Sequence, residues 1–353
     1  MGLQSSNNRL IIVTHNDLDG VGAAAAYLRI VGLRPSEATV IFAEPYNVDE
    51  IVERLQGYLE DRTTIAFMDI GFNRSSTPRA IELLRGSGAK ELNVEWYDHH
   101  VWQPDDVKLV QSIGSKVFID RSTCGAGVVI RYASKLYGRS VDEFLERLES
   151  AVCAADLWRW DDPLAPKLFR ASTSPPNMHN SAWKQLLIEK FYSGILWDDD
   201  LQARLKEYLR EEFMRSSSEL RGVAVARAGS CSAAAVVRKY DLPSDSILGS
   251  MLVSRTNAQL SAMVKRRGFR RVSISLRSRG GADVQVIAKS LGGGGHPRAA
   301  GAAMNLPLLV ALVGLISKRY IASYVARKLS QYGNELGACR PNEETTKGSQ
   351  GEM

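Results

Sequence analysis

Cysteine is scarce in this sequence: Cys124, Cys153, Cys231 and Cys339 lie far apart, and no two form a C-x-x-C pair. That usage predicts neither a disulfide framework nor a structural zinc site, and it fits a reducing cytoplasm. Long apolar runs are also missing. The most apolar window, Leu306 to Ile316, is too short to span a bilayer and is followed by Lys318 and Arg319. The N-terminus lacks the charged-then-apolar pattern of a signal peptide. It formally fits a loose myristoylation pattern, but nothing else points to a membrane, so no membrane partner is expected. Charge is only mildly unbalanced: 45 basic against 39 acidic residues, net +6, which permits an anionic partner without requiring one. With 353 residues, 44% of them hydrophobic, the chain has material for two ordinary domains.

The first half alternates short apolar runs with helical spacing. Leu10–Val13, Thr39–Phe42, Ile65–Met68, Val94–Tyr97 and Val117–Ile119 read as strands, and Val21–Val31 as an Ala-rich helix. The fold class expected is α/β: a mainly parallel sheet with flanking helices, plus a smaller C-terminal α/β domain across a cleft. Val141–Trp158 and Leu201–Ser217 carry helical periodicity, with Pro163, Pro166, Pro175 and Pro176 between them. Near Gly222 the pattern restarts. Val223–Ala226, Ala234–Val237, Ser250–Ser254 and Val272–Leu276 read as strands, and 283–291 and 307–331 as helices. The boundaries expected are a first domain over 1–165, a helical linker over 166–220, a second domain over 221–332 and a disordered tail over 333–353.

Only five histidines occur: His15, His99, His100, His179 and His296. Four of them sit in polar or glycine-rich clusters at strand ends; His179 has no motif and receives no role. In Thr14-His15-Asn16-Asp17-Leu18-Asp19-Gly20, the alternating His15, Asp17 and Asp19 would project to one side of an extended segment. An Asp N-cap explains one carboxylate there, not two and a histidine. Asp69 follows a second strand. Asp98-His99-His100 follows a third, with Asp98 placed to orient an imidazole. Asp156 ends an otherwise apolar helical stretch, where an unpaired carboxylate is costly and metal ligation removes that cost. Carboxylates with a few imidazoles and no thiolates suit Mn²⁺ or Mg²⁺. The ligands exceed what one ion needs, so two ions are expected, an arrangement suited to phosphoryl chemistry.

In order and context, THNDLDG, FMDIG, YDHH and the Asp156 helix resemble the DHH phosphoesterase superfamily, which includes RecJ-type exonucleases, nanoRNases, cyclic-dinucleotide phosphodiesterases and family II pyrophosphatases. The run Gly292–Gly295, His296-Pro297-Arg298-Ala299-Ala300-Gly301 resembles the DHH-associated domain. The resemblance implies that His15, Asp17 and Asp69 hold one ion and that Asp19, Asp69, His99 and Asp156 hold the other, with Asp69 bridging. It implies that His100 faces the phosphate and Asp98 supports the histidines, so that Asp98, His99 and His100 form the catalytic triplet. Many members place the first histidine four residues before the first Asp. Here only Asn16 intervenes, as in the D-x-D-x-D-G pattern of RecJ-type enzymes with His15 in the leading place.

On the substrate side, Gly293, Gly294, Gly295 and His296 are expected to bind a phosphate or terminal nucleotide through backbone N–H groups. A helix C-cap alone needs fewer glycines. Arg277 ends a strand where the related domain has a phosphate-binding Arg. Lys265, Arg266, Arg267, Arg270, Arg271 and Arg279, with Phe269 among them, form the most basic stretch. Such residues give salt-dependent nucleic-acid affinity, and the aromatic a stacking surface. Trp158 and Trp160 are candidates to line the cleft or simply to pack. Cys124 has no neighbouring histidine and is not a nucleophile; Ser122 and Thr123 cap the next helix. The function expected is end-directed hydrolysis of single-stranded nucleic acid or short oligonucleotides. The alternatives are a cyclic-dinucleotide or nucleotide-bisphosphate phosphoesterase and a non-catalytic replication scaffold.

Overall fold

The computed structural model describes residues 9–89, 91–173, 180–279 and 281–339. The chain divides into two compact units, Met1–Leu209 and Arg210–Met353. His179, Pro175 and Pro176 lie outside the described residues.

The first unit alternates strand and helix: β1 (Arg9–His15), α1 (Leu18–Val31), β2 (Ala38–Ala43), α2 (Val48–Leu55), β3 (Thr63–Met68), α3 (Thr77–Arg85), β4 (Asn93–Asp98), α4 (Pro104–Gln111), β5 (Lys116–Ile119) and α5 (Gly125–Tyr137). The five strands are all parallel, in the order β2-β1-β3-β4-β5. The apolar run Leu10–Val13 is buried on both faces, as a central parallel strand requires. Its residues alternate between two cores. Leu10 and Ile12 join α1 and α5, while Ile11 and Val13 join α2 and α3. Ala23–Ala26 of α1 are fully buried, and their small side chains let neighbouring helices approach closely.

The chain continues through α6 (Glu143–Asp156), α7 (Ala165–Ala171), α8 (Ser181–Tyr192) and α9 (Asp199–Leu220). The segment expected as a linker is helical, but much of it belongs to the first core: Trp183, Leu187, Ile188 and Phe191 of α8 are buried in it. The division between the units falls inside α9. One polar hub sits in this unit. Buried Glu95 accepts hydrogen bonds from the hydroxyls of Tyr27 and Tyr97, both at 2.8 Å, and of Tyr137 at 2.9 Å.

The second unit holds β6 (Ala224–Ala228), β7 (Cys231–Val237), α10 (Asp245–Thr256), β8 (Leu260–Arg266), β9 (Arg271–Ser278), α11 (Val284–Ser290), β10 (Gly294–His296), β11 (Ala299–Asn305), α12 (Leu308–Ile316) and α13 (Lys318–Glu335). Its six strands run β10-β11-β9-β8-β7-β6. Only β7 and β8, joined by the α10 crossover, are parallel. The α/β class and the smaller C-terminal unit agree with the expectation from sequence, although its mixed sheet has one strand more than the parallel one.

Several local readings are corrected. Ser250–Ser254 is helix, not strand. Ser244 caps α10 by accepting from the Ile247 amide, and buried Leu248 and Leu252 are one helical turn apart. A short apolar run such as Met251-Leu252-Val253 has no decisive period, and the true strand, β8, follows it. The last helix is two, because Ser317 is extended between α12 and α13. Residues 333–339 are not a disordered tail: α13 runs to Glu335, and Ala338 and Cys339 are buried.

All four cysteines are paired, against the expectation of none. Cys124 bridges to Cys153 and Cys231 to Cys339, with Cα–Cα distances of 5.1 and 5.3 Å. The physical reason is that packing, not sequence spacing, sets thiol proximity. Helices α5 and α6 bring the first pair together, and the turn after α13 returns Cys339 to the start of β7. Among the described residues, no helix is long and apolar enough to cross a membrane.

Candidate metal centre

The carboxyl ends of β1, β3 and β4 lie side by side in the first sheet, and a parallel α/β sheet binds ligands beyond those ends. His15 closes β1. Asp17 caps α1 by accepting from the Gly20 amide at 3.0 Å, and Asp19 lies in the first turn. Asp69 leaves β3 with φ of 55°, a left-handed backbone that turns its side chain out of the strand path. His99 and His100 follow β4, and Asp156 ends α6.

These side chains converge. His15 Nδ1 stands 2.9 Å from Asp17 Oδ2 and 3.5 Å from Asp69 Oδ2. His99 Nε2 stands 3.4 Å from Asp69 Oδ1, 3.6 Å from Asp156 Oδ2 and 3.8 Å from Asp19 Oδ2. Three groups have ligand atoms all within 4.8 Å of one another: His15, Asp17 and Asp69; Asp19, His99 and Asp156; and Asp69, His99 and His100. Asp69 belongs to two of them and contacts His99 of the other, so it is placed to be shared.

The surroundings hold the ligands in place. Asp19 is buried at the start of α5, where it accepts from the amides of Gly125 at 2.6 Å and Ala126 at 2.8 Å. Gly125 is required there, because a Cβ would lie 2.7 Å from Asp69 Cβ and 3.0 Å from Asp19 Oδ2. Buried Asp98 meets His100 Nδ1 at 2.7 Å and accepts from Trp102 Nε1 at 2.6 Å. That contact engages one ring nitrogen of His100 and fixes the plane of the ring.

The electrostatics are those of a cluster short of positive charge. Burial works to lower the His99 pKa, but Asp69, Asp19 and Asp156 overcome it and raise it to about 10. Burial is likewise the largest influence on His15, where Asp17, Asp69 and Glu44 outweigh it and lift the pKa well above the usual imidazole value. Burial, reinforced by Asp69 and Asp17 against the pull of His99, lifts Asp156 to about 7. Burial and the same crowding, Asp69 first, push Asp19 well up. Buried carboxylates crowded against one another, holding protons for want of another positive charge, fit divalent cations.

Sequence reasoning missed two charged neighbours. Glu44, just beyond β2, reaches His15 Nε2 at 3.2 Å. Its only signal was its place at a strand's carboxyl end. Lys184 of α8 is 2% exposed; burial lowers its pKa to about 8, with Asp17 the charge that supports its proton. No motif surrounds it. Trp158 and Trp160, immediately past Asp156, both have left-handed backbone and stack edge-on at 4.4 Å; Trp158 is partly exposed.

In the second unit, register sets His296, Ala299 and Arg277 side by side on β10, β11 and β9, so His296 and Arg277 project from the same face. Arg277 lies along α10, donating to Ser246 Oγ at 2.8 Å and to its neighbour Leu276's carbonyl at 2.8 Å. The glycine run does two things. Gly292 and Gly293 close α11 by donating to the carbonyls of Lys289 and Ala288. Gly295, with φ of 132°, lets β10 pass against the backbone of β11, where a Cβ would lie 2.6 Å from the Ala299 carbonyl oxygen. Gly294 faces open space.

A parallel α/β unit carrying an acid–histidine cluster at its strand ends, followed by a separate mixed-sheet unit, is the arrangement expected from the sequence. Comparison with known proteins agrees. Residues 233–318 match the family model of the DHHA1 domain. No curated protein matches the chain. Among solved structures, the DHH domain of a member of the s1p family of ribosomal proteins has a TM-score of 0.60 at 14% identity, over 88% of this chain and 87% of that one. A pGpG-specific phosphodiesterase from Vibrio cholerae has a TM-score of 0.52 at 14% identity, over 90% of this chain and 100% of that one. RecJ from Thermus thermophilus, solved with Mn²⁺, has a TM-score of 0.52 at 17% identity, and the match spans 95% of this chain but 57% of RecJ. These likenesses show the fold over most of the chain, and the family model shows a DHHA1 domain at residues 233–318.

Proposed function

We propose that this chain is a metal-dependent phosphodiesterase that removes nucleotides from an end of single-stranded nucleic acid or short oligonucleotides. The observation that carries the reading is the sharing of Asp69 between two sets of ligands at the ends of adjacent parallel strands.

His15, Asp17 and Asp69 would hold one ion, and Asp19, Asp69, His99 and Asp156 the other, with Mn²⁺ or Mg²⁺ suited to this donor set. Two such ions supply charge neutralisation at the phosphate and a lowered pKa for the attacking water. The remaining work falls to side chains. Asp98 orients His100 toward the phosphate through its 2.7 Å contact at Nδ1. Glu44 steadies His15 from the side away from Asp69. Lys184 adds a buried positive charge that offsets Asp17. Trp158 offers a flat apolar face beside Asp156 for a base.

Arg277, Gly293, Gly294, Gly295 and His296 are proposed as the substrate-binding set, with the open backbone at Gly294 as the point of phosphate approach. A phosphodiesterase acting on a dinucleotide is the second reading. It is favoured by the full-length likeness to the pGpG-specific enzyme, whereas RecJ extends well beyond this chain.

The test uses Mn²⁺ with end-labelled substrates from dinucleotide to 20-mer, in DNA and RNA, beside a cyclic dinucleotide. Asp69→Asn and His99→Ala should each lower kcat by roughly a thousandfold or more with the fold retained. Unchanged hydrolysis in either variant sinks the two-ion reading. Activity confined to the dinucleotide selects the second reading.

A further inference from the structure

Helix α12 is apolar on opposite sides. Val310, Ala311 and Gly314 are buried in the second unit. Leu308, Leu309, Leu312, Leu315 and Ile316 face outward, and they are 47% to 94% exposed. Their spacing places them on one side of the helix. Five contiguous exposed aliphatic side chains on one short helix mark an interaction surface.

The rim of this surface is basic. The turn between β8 and β9 lies against both ends of α12: Arg266 donates to the Gly314 carbonyl at 3.2 Å, and Arg270 to the Leu306 carbonyl at 2.9 Å. Phe269 at that turn is 47% exposed, and Arg267, Arg270 and Arg271 are exposed beside it. Lys318 and Arg319, also exposed, follow the helix. Between Asp245 and Glu335 the sequence has fourteen Lys and Arg residues and one acid, Asp283.

We propose that this face docks on an anionic lipid surface, with α12 lying in the plane of the interface. The aliphatic stripe enters the acyl boundary while the arginines and lysines meet the headgroups. Charge complementarity decides between occupants. A second copy related by a twofold axis would press two basic rims together. A nucleic acid would match the rim but leave the leucines against a polar backbone. An anionic bilayer satisfies both parts. The sequence expectation of no membrane partner rested on the window being too short to span, and a helix lying in the interface has no such length requirement. The inference is independent of the metal centre.

The test is co-sedimentation of the full chain with vesicles of phosphatidylcholine alone or mixed with phosphatidylglycerol, at low and high salt. Binding is expected on the mixed vesicles, about tenfold weaker on the neutral ones, and weakened by salt. A Leu312→Glu/Leu315→Glu variant should lose binding at least tenfold while keeping its circular dichroism spectrum and melting temperature. If that variant misfolds, Lys318→Glu/Arg319→Glu, changed only at exposed positions, must show the loss instead. No binding of the wild type to the mixed vesicles overturns the proposal. So does full binding by a folded variant, or a wild-type dimer in light scattering that the leucine variant dissolves.

Discussion

Asp19 and Gly125 meet at 2.6 Å, carboxylate to backbone amide, although they are 106 residues apart in the chain. The contact ties the first ligand loop to the N-terminus of α5. Gly125→Ala would set a methyl group 2.7 Å from Asp69 Cβ. The expected result is a loss of about 1–3 kcal/mol in urea denaturation. Weaker Mn²⁺ binding by calorimetry should accompany it. Wild-type metal affinity in this variant would show that the contact does not position the ligands.

Metal binding should release protons. With His99 raised to about 10 and Asp156 to about 7, the first keeps its proton at neutral pH in the metal-free cluster and the second is about half protonated. Ligation requires the deprotonated forms, so affinity falls as pH drops below about 10, where His99 protonates, and more steeply below about 7, where Asp156 joins it. Calorimetry at pH 7 in buffers of different ionisation enthalpy should read a net release of at least one proton per Mn²⁺ filled. An enthalpy independent of buffer would contradict the coupled cluster.

Lys184 should destabilise the metal-free protein at neutral pH. Its folded pKa of about 8 lies below the ordinary 10.5, so the unfolded chain binds more protons between those values. Stability therefore rises with pH across that window, and below pH 8 the burial penalty, about 3 kcal/mol at most, is fully present. Lys184→Met keeps the packing and removes the charge. In chelator, it should unfold at higher urea than wild type at pH 7, and the difference should shrink above pH 10. A flat difference across that range would refute the assignment.

The Cys124–Cys153 bridge joins the cap of α5 to α6, three residues before Asp156. Closing a loop of this length is worth about 3–4 kcal/mol. Dithiothreitol, or Cys153→Ser, should lower the melting temperature by several degrees and loosen Mn²⁺ binding. Free-thiol counting on the unfolded, unreduced chain checks the premise, with no reactive thiol at these two positions expected.

Much of the acid–histidine cluster was legible because its members sit in short polar motifs directly after apolar runs, and a parallel sheet gathers strand ends. His15, Asp69 and His99 needed no more than that rule to be placed together. Lys184 and Glu44 were not legible, because each reaches the cluster only through packing and neither has a marked neighbourhood. Glu95 was hidden for a different reason. It sits inside a strand, and its three tyrosine partners come from α1, β4 and α5. The thiol pairs failed the spacing argument because α5 and α6 pack together in the first unit and the turn after α13 returns to β7 in the second. Helix α10 was misread because its apolar run is shorter than the repeat that would have distinguished it.

The four alanines of α1, Ala23 to Ala26, limit how this protein can change over generations. They are completely enclosed, and α1 carries Asp17 and Asp19 at its head. A larger side chain at any of them displaces the helix and drags two acidic groups with it. Drift is therefore steered: single substitutions can explore the open turns of the second unit, while the platform beneath the acid–histidine cluster can be rebuilt only by several changes arriving together.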